Sequence, residues 1–264
     1  MALTDRQQHT LAWVVGGLIF AALGAGLIYQ AQKPRPNRDT LCVGQSDRST
    51  VIVLDWTDHV SVQTQNEIVS RVTATVRDEV AAGENVAVFT VDDLSRRSLA
   101  PKFDKCKPDV TGSALTQNTT AIRQQAKRQF DDELLKVLRA PVTSAAQSPI
   151  AEAIIDLSQT SYLRAVTSNR LMVFSDLIQN TAQASVLSCV DGQTLIENFS
   201  RSQAAGTPRP SFKQVDVRLN VVPRSGLNQA GVDCRTRFWN WFFGDNSGPD
   251  ARLMYLPLPG PIGG

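Results

Sequence analysis

The chain has 264 residues, a formal net charge of +2 and four cysteines. That length leaves room for one domain of ordinary size behind a short N-terminal extension. The nearly balanced charge, with no Lys/Arg stripe and no basic tail, argues against a nucleic-acid partner.

Residues 1–10 read as an N-terminal tail. Residues 11–32 carry no charged side chain, and Leu11 to Tyr29 is almost wholly apolar. At about 1.5 Å per residue such a run spans a hydrocarbon core of roughly 30 Å. Trp13 and Tyr29 stand near its ends, where amphipathic rings favour the membrane interface. A cleaved signal peptide has a shorter apolar core and a small-x-small cleavage site, whereas this run ends in Tyr29-Gln30-Ala31-Gln32. The segment is expected to stay as a single-pass anchor in the inner (cytoplasmic) membrane. Two signals disagree on sidedness. Lys33, Arg35 and Arg38 follow the anchor and draw that side toward the cytoplasm. Cys42, Cys106, Cys189 and Cys234 also follow it, an even number compatible with disulfides in an oxidising compartment. The reading adopted is a periplasmic domain. No cysteine lies in a CxxC pair or near a histidine at metal-ligand spacing, which argues against zinc.

Residues 33–48 hold two prolines and read as a linker to a domain over 49–243. Thr50 to Asp55 is β-branched and apolar on both faces, as in a central strand of a covered parallel sheet. Ile68, Val69, Val72, Val76 and Val80 recur at helical spacing, with Gly83 read as the C′ residue. Asn85 to Val91 is a second strand, and 92–116 a long polar loop containing Cys106. Thr120 to Leu138 is helical, ended by Pro141. Ser148-Pro149 reads as N-cap and first-turn proline of a helix through Ile150, Ile154, Ile155 and Leu157. Leu171 to Ser175 is a buried strand, 191–203 a helix, and Val215 to Val222 a strand. The helix Leu227 to Phe243 carries an aromatic run read as core. The Pro/Gly-rich tail, 244–264, is expected as coil. Strands separated by helices predict an α/β fold, a doubly wound and mostly parallel sheet. Its ligand sites belong beyond the carboxyl ends of the strands.

Small oxygen ligands stand at these points: Asp55-Trp56-Thr57-Asp58-His59-Val60-Ser61, then Ser148, then Ser175-Asp176. Carboxylates and hydroxyls on neighbouring loops suit a hard cation such as Mg²⁺. The bland readings are a turn-forming Asp55, a helix-capping Ser148 and a solvated loop His59.

At these residues the chain resembles a von Willebrand factor A (VWA) domain of the membrane-anchored bacterial type, over roughly residues 48 to 243. That family's metal-ion-dependent adhesion site has Asp-x-Ser/Thr-x-Ser after the first strand, a hydroxyl from a second loop and an Asp from a third. Asp55 and Thr57 match the first two positions, Ser148 resembles the second-loop hydroxyl, and Asp176 the third-loop carboxylate. The pattern's second serine falls at His59, and Ser61 stands two positions later as a replacement. Leu177 occupies the place of a frequent Gly, and Asp58 is an extra carboxylate. The resemblance implies a metal site of Asp55, Thr57, Ser61, Ser148 and Asp176, with Asp58 and His59 as additional candidates. It would hold Mg²⁺ (or Mn²⁺/Ca²⁺), whose open coordination position takes a carboxylate from a protein partner.

Catalysis is not expected. The phosphatase motif of haloacid-dehalogenase-like folds needs a second Asp where Thr57 stands. There is no GxxxxGK[ST] loop and no GxSxG elbow. Of the two histidines, His9 precedes the anchor. The expectation is a membrane-tethered scaffold that docks an unidentified protein. The alternatives are a metal-dependent phosphohydrolase on a similar sheet, or a metal-free structural subunit of an envelope complex.

Overall fold

The structure, a computed structural model, describes residues 13, 17, 20, 21, 24, 35–91, 100–111, 118–141, 145–165, 167–203, 209–246 and 252–260. The chain divides into two compact units, Met1–Asn37 and Arg38–Gly264. In the first, Trp13, Gly17, Phe20, Ala21 and Gly24 have helical backbone. The rest of the expected anchor, 11–32, lies outside the described residues. Among the described residues no helix is long and apolar enough to cross a membrane.

The second unit is built on a six-stranded sheet of order β3-β2-β1-β4-β5-β6. Its strands are β1 (Arg48–Asp55), β2 (Asn85–Val91), β3 (Phe103–Cys106), β4 (Ser168–Ser175), β5 (Val215–Val221) and β6 (Leu253–Pro257). Every pairing is parallel except β2 with β3. The helices are α1 (Val62–Asp78), α2 (Thr119–Ala126), α3 (Asp132–Leu138), α4 (Ile150–Ser158), α5 (Gly192–Ser202) and α6 (Gln229–Phe242). A π-helical turn, Lys127–Asp131, joins α2 to α3.

Alternation along the strands divides the core between the two faces. Ile52, Leu54, Val86, Val88, Met172 and Phe174 pack with Ile68, Val72 and Val76 of α1 and Leu134 and Leu138 of α3. Val51, Val53, Phe89, Val173, Val217 and Leu219 pack with α4, α5 and α6. A central strand covered on both sides must be apolar on both sides, which is why β1 reads as an unbroken hydrophobic run. The aromatic segment of α6 is core as expected: Phe238, Trp239, Phe242 and Phe243 are fully buried.

Four local expectations are corrected. The loop expected over 92–116 contains β3, which pairs antiparallel with β2 from Asn85↔Cys106 to Val88↔Phe103. Four residues are too few to show a period, so the strand is made by its neighbour's backbone. The tail expected as coil supplies β6, paired with β5. Arg71 of α1 fixes that strand, its Nη2 donating to the Pro257 carbonyl at 2.9 Å and its Nη1 to that of Leu256 at 3.3 Å. Gly83 is not the C′ residue of α1, which ends at cap residue Glu79. It turns the chain into β2 with φ 81, a conformation glycine adopts without steric cost. Carbonyls of the last turn of α1 are met instead by Lys107, whose Nζ donates to Val76 at 2.7 Å and to Arg77 at 3.1 Å, and also to Val80 beyond the helix at 2.8 Å. Ser148, finally, does not cap α4. Gln179 reaches across from another loop and accepts from the Ala151 N–H at 3.0 Å.

All four cysteines are paired, Cys42 with Cys106 and Cys189 with Cys234. The first bond ties the expected linker to the edge strand, where the Cys106 N–H also donates to the Thr40 carbonyl at 2.8 Å. Residues 38–48 therefore belong to the folded domain.

Candidate functional site

The carboxyl ends of β1, β4 and β5 meet at one edge of the sheet, and Asp55 is the hub there. It ends β1 in register with Val91 and is 7% exposed. Its Oδ1 accepts from the Thr57 hydroxyl at 2.6 Å and the Thr57 N–H at 3.2 Å. Its Oδ2 accepts from the hydroxyls of Ser175 at 2.7 Å and Ser148 at 3.3 Å. Three separate segments are thus drawn onto one buried carboxylate. Burial pushes the Asp55 carboxyl up, while the Ser175 and Thr57 donors pull it down.

Asp176 follows β4. Its Oδ1 accepts from the Ile178 N–H at 2.9 Å, closing a tight turn, and its backbone carbonyl accepts from Arg235 Nη1 at 3.0 Å. Burial first, and then the charge of Asp55, push its carboxyl up to about 6. Arg224 reaches in from the segment after β5. Its Nη1 donates to Asp176 Oδ2 at 3.1 Å and also to Asp58 Oδ2. A small cavity of about 30 Å³ lies among Asp55, Asp58, His59, Asp176 and Arg224.

Of the residues expected in the site, the structure brings together Asp55, Thr57, Ser148 and Asp176, with Asp58 and His59 at the rim. His59 is exposed. Ser61 is engaged elsewhere: it is the N-cap of α1, accepting from the Thr64 N–H at 3.1 Å with its hydroxyl 2.8 Å from that of Thr64. A hydroxyl that closes a helix end is not free to take the place of the pattern's second serine. Two participants lie outside the metal set that the resemblance implies: Ser175, which stood beside Asp176 as a small oxygen ligand, and Arg224. Ser175 is the single hydroxyl in the run Leu171-Met172-Val173-Phe174-Ser175, and that position is its signal. Arg224 follows β5, where the rule of looking just past each strand also points.

Leu177, which stands where the resembled pattern often has a glycine, adopts φ 60. This is the left-handed region, which costs a side-chain-bearing residue about 1–2 kcal/mol. Three contacts hold it there. Its N–H donates to Ser175 Oγ at 2.8 Å, its carbonyl accepts from Trp239 Nε1 at 2.7 Å, and its side chain is 2% exposed. An inverted substitution order is expected as a result. Leu177→Ala loses the burial and keeps the strain, whereas Leu177→Gly loses the burial and relieves it. The alanine variant should be the less stable by about 1 kcal/mol, opposite to the usual ranking. Urea midpoints at unchanged slope measure this.

The donor chemistry here, hydroxyls and carboxylates, is of the kind Mg²⁺ takes. Yet Asp176 and Asp58 already share the Arg224 guanidinium, and both Asp55 oxygens are committed to hydroxyl donors. Among the described residues no group of three or more His, Cys, Asp or Glu side chains is arranged to hold a metal ion. As arranged, the set does not fit a divalent ion while Arg224 keeps its place.

No family model matches the sequence, and no curated protein matches it. Solved structures that are similar include an aerotolerance-related membrane protein from Bacteroides fragilis, at 10% identity, 80% of this chain, 92% of that chain and a TM-score of 0.34. The SpRpn10 VWA domain matches at 12% identity, 80% of this chain, 89% of that chain and a TM-score of 0.35. The conserved hypothetical protein BatB from Bacteroides thetaiotaomicron matches at 10% identity, 81% of this chain, 91% of that chain and a TM-score of 0.35.

Proposed function

We propose that this chain is a membrane-tethered docking module without catalytic activity. Its protein partner engages the loops after β1, β4 and β5. The observation that carries the reading is the convergence of Thr57, Ser148 and Ser175 on the buried Asp55 carboxylate. That network fixes three loops relative to one another and presents Asp58 and His59 at the rim as a preformed surface. Preorganisation of this kind reduces the ordering cost of binding. The VWA resemblance supports the same edge of the sheet as the docking face. The apolar run Leu11 to Tyr29 supports the tether, and two disulfides support a periplasmic domain held by the inner membrane.

A second reading, docking through Mg²⁺ (or Mn²⁺/Ca²⁺), is favoured by the meeting of Asp55, Thr57, Ser148 and Asp176 and opposed by Arg224. Affinity purification of the full-length protein from detergent-solubilised membranes tests both. The comparison sets wild type against the rim variant Asp58→Ala/His59→Ala and against Arg77→Ala, whose exposed side chain belongs to the last turn of α1. A partner retained by wild type and Arg77→Ala, lost by the rim variant and unaffected by EDTA is the expected result. Capture abolished by EDTA would favour the metal reading. Equal capture by all three proteins would refute docking at this edge. Turnover of a generic phosphate monoester that disappears in Asp55→Asn would replace both with the phosphohydrolase.

A further inference from the structure

The placement of Arg224 follows from the sheet. The β5 strand runs parallel to β4, and the ladder continues past its end, with the Val222 N–H donating to the Ser175 carbonyl at 2.8 Å. Pro223 then fixes one backbone angle, and the Arg224 side chain reaches Asp176. Its Nη1 is shared between Asp58 Oδ2 and Asp176 Oδ2. The Asp176 side chain is 7% exposed and that of Arg224 33%. A carboxylate buried to that degree is costly unless a cation matches it. Asp58 holds the other side of the guanidinium. The metal-site pattern has no need of a carboxylate at that position, but a cation supplied by the chain itself does.

We propose that Arg224 is the resident cation of this site, balancing its carboxylates in the place a divalent ion would take and so freeing the docking edge from metal. The inference rests on reading this edge as the docking face. A guanidinium and a divalent ion drawing on the same oxygens of Asp58 and Asp176 exclude each other, since two cations at contact distance repel. An arginine also differs from an ion in permanence: it cannot be chelated, diluted or exchanged, so the loops stay fixed at any metal concentration.

The test is thermal unfolding of the full-length protein in detergent, followed by tryptophan fluorescence, in EDTA and in millimolar Mg²⁺ or Mn²⁺. Wild type is expected to unfold at the same temperature in all three. Arg224→Ala is expected to unfold earlier in EDTA and to recover in metal, because the vacated carboxylates then accept an ion. Arg224→Lys, which keeps the charge, should need metal less than Arg224→Ala does. Wild type stabilised by metal as strongly as Arg224→Ala would overturn the proposal. So would an Arg224→Ala loss that no metal restores, because the arginine would then be an ordinary structural ion pair. If Arg224→Ala does not fold, Mn²⁺ titration of wild type by electron paramagnetic resonance decides: no binding upholds the proposal, and stoichiometric binding overturns it. The docking reading stands or falls separately on capture by the rim variant. Metal-stabilised wild type with capture still lost in that variant would sink the arginine and leave the docking face.

Discussion

Replacing Cys189 and Cys234 together by alanine is expected to lower stability by 2–4 kcal/mol, read from the denaturant midpoint at unchanged slope. The bond joins the loop ahead of α5 to Cys234 of α6, which is 1% exposed, across a sequence separation of 45. Cross-linking that separation removes unfolded-state entropy worth about 4 kcal/mol by loop closure, an upper bound that measured bonds commonly fall below. The Cys42–Cys106 bond closes 64 residues. Because the closure entropy grows with the logarithm of loop length, the same formula again gives about 4 kcal/mol. Cys42→Ser/Cys106→Ser should therefore lose a similar amount. A loss below about 0.5 kcal/mol from both pairs would show that the bonds do not form or that the unfolded chain is not constrained by them. For a domain with a total stability of about 5–15 kcal/mol, losing both bonds takes a large part of the whole. The protein should then fold poorly in a reducing compartment, as the proposed periplasmic placement requires.

Trp239→Ala is expected to cost more than either disulfide, about 4–6 kcal/mol, combining a large aromatic truncation with an orphaned buried carbonyl. The indole is fully buried. It stacks on Phe243 at 5.9 Å and meets Phe238 and Phe242 edge-on at 5.2 and 5.3 Å. Its Nε1 also donates to the Leu177 carbonyl, the residue with left-handed backbone beside Asp176. The substitution therefore reaches the site as well as the core: without that bond Leu177 loses one of the contacts that hold its φ. Trp239→Phe separates the two effects. It keeps most of the apolar contact and removes the donor, so its loss should be about 1–3 kcal/mol, with a weakening of partner capture out of proportion to it. If Trp239→Phe proved as destabilised as Trp239→Ala, the hydrogen bond to Leu177 would dominate and the packing account would be wrong.

Much of this molecule was legible in short windows. Thr50 to Asp55 and Asn85 to Val91 announce themselves as buried strands because a central parallel strand must be apolar on both faces. The spacing Ile68, Val72, Val76 fits one helical face. Asp55, Thr57 and Asp176 were found by looking just past strands and Ser148 by looking at the start of a helix, and the structure does bring them together. Ser61 misled because its spacing in the motif could not reveal that its hydroxyl was already used to start α1.

What the sequence by itself determined is whatever depends on near neighbours: the period of each longer segment, the order of the central strands and their helices, the even number of cysteines, and the residue types available at each strand end. What only the tertiary structure decided depends on groups far apart in the chain. β3 is strand because Asn85 to Val88 lies beside it, and β6 because β5 offers an edge and Arg71 of α1 holds its carbonyls. Which cysteines pair is a matter of which segments meet. Leu177 can take a backbone conformation suited to glycine because Trp239, 62 positions away, holds its carbonyl. Above all, Arg224 is joined to Asp176 across 48 positions and to Asp58 across 166. A charge pattern read along the chain shows the carboxylates. Only the fold, by ending β1, β4 and β5 at one edge, shows the cation that matches them.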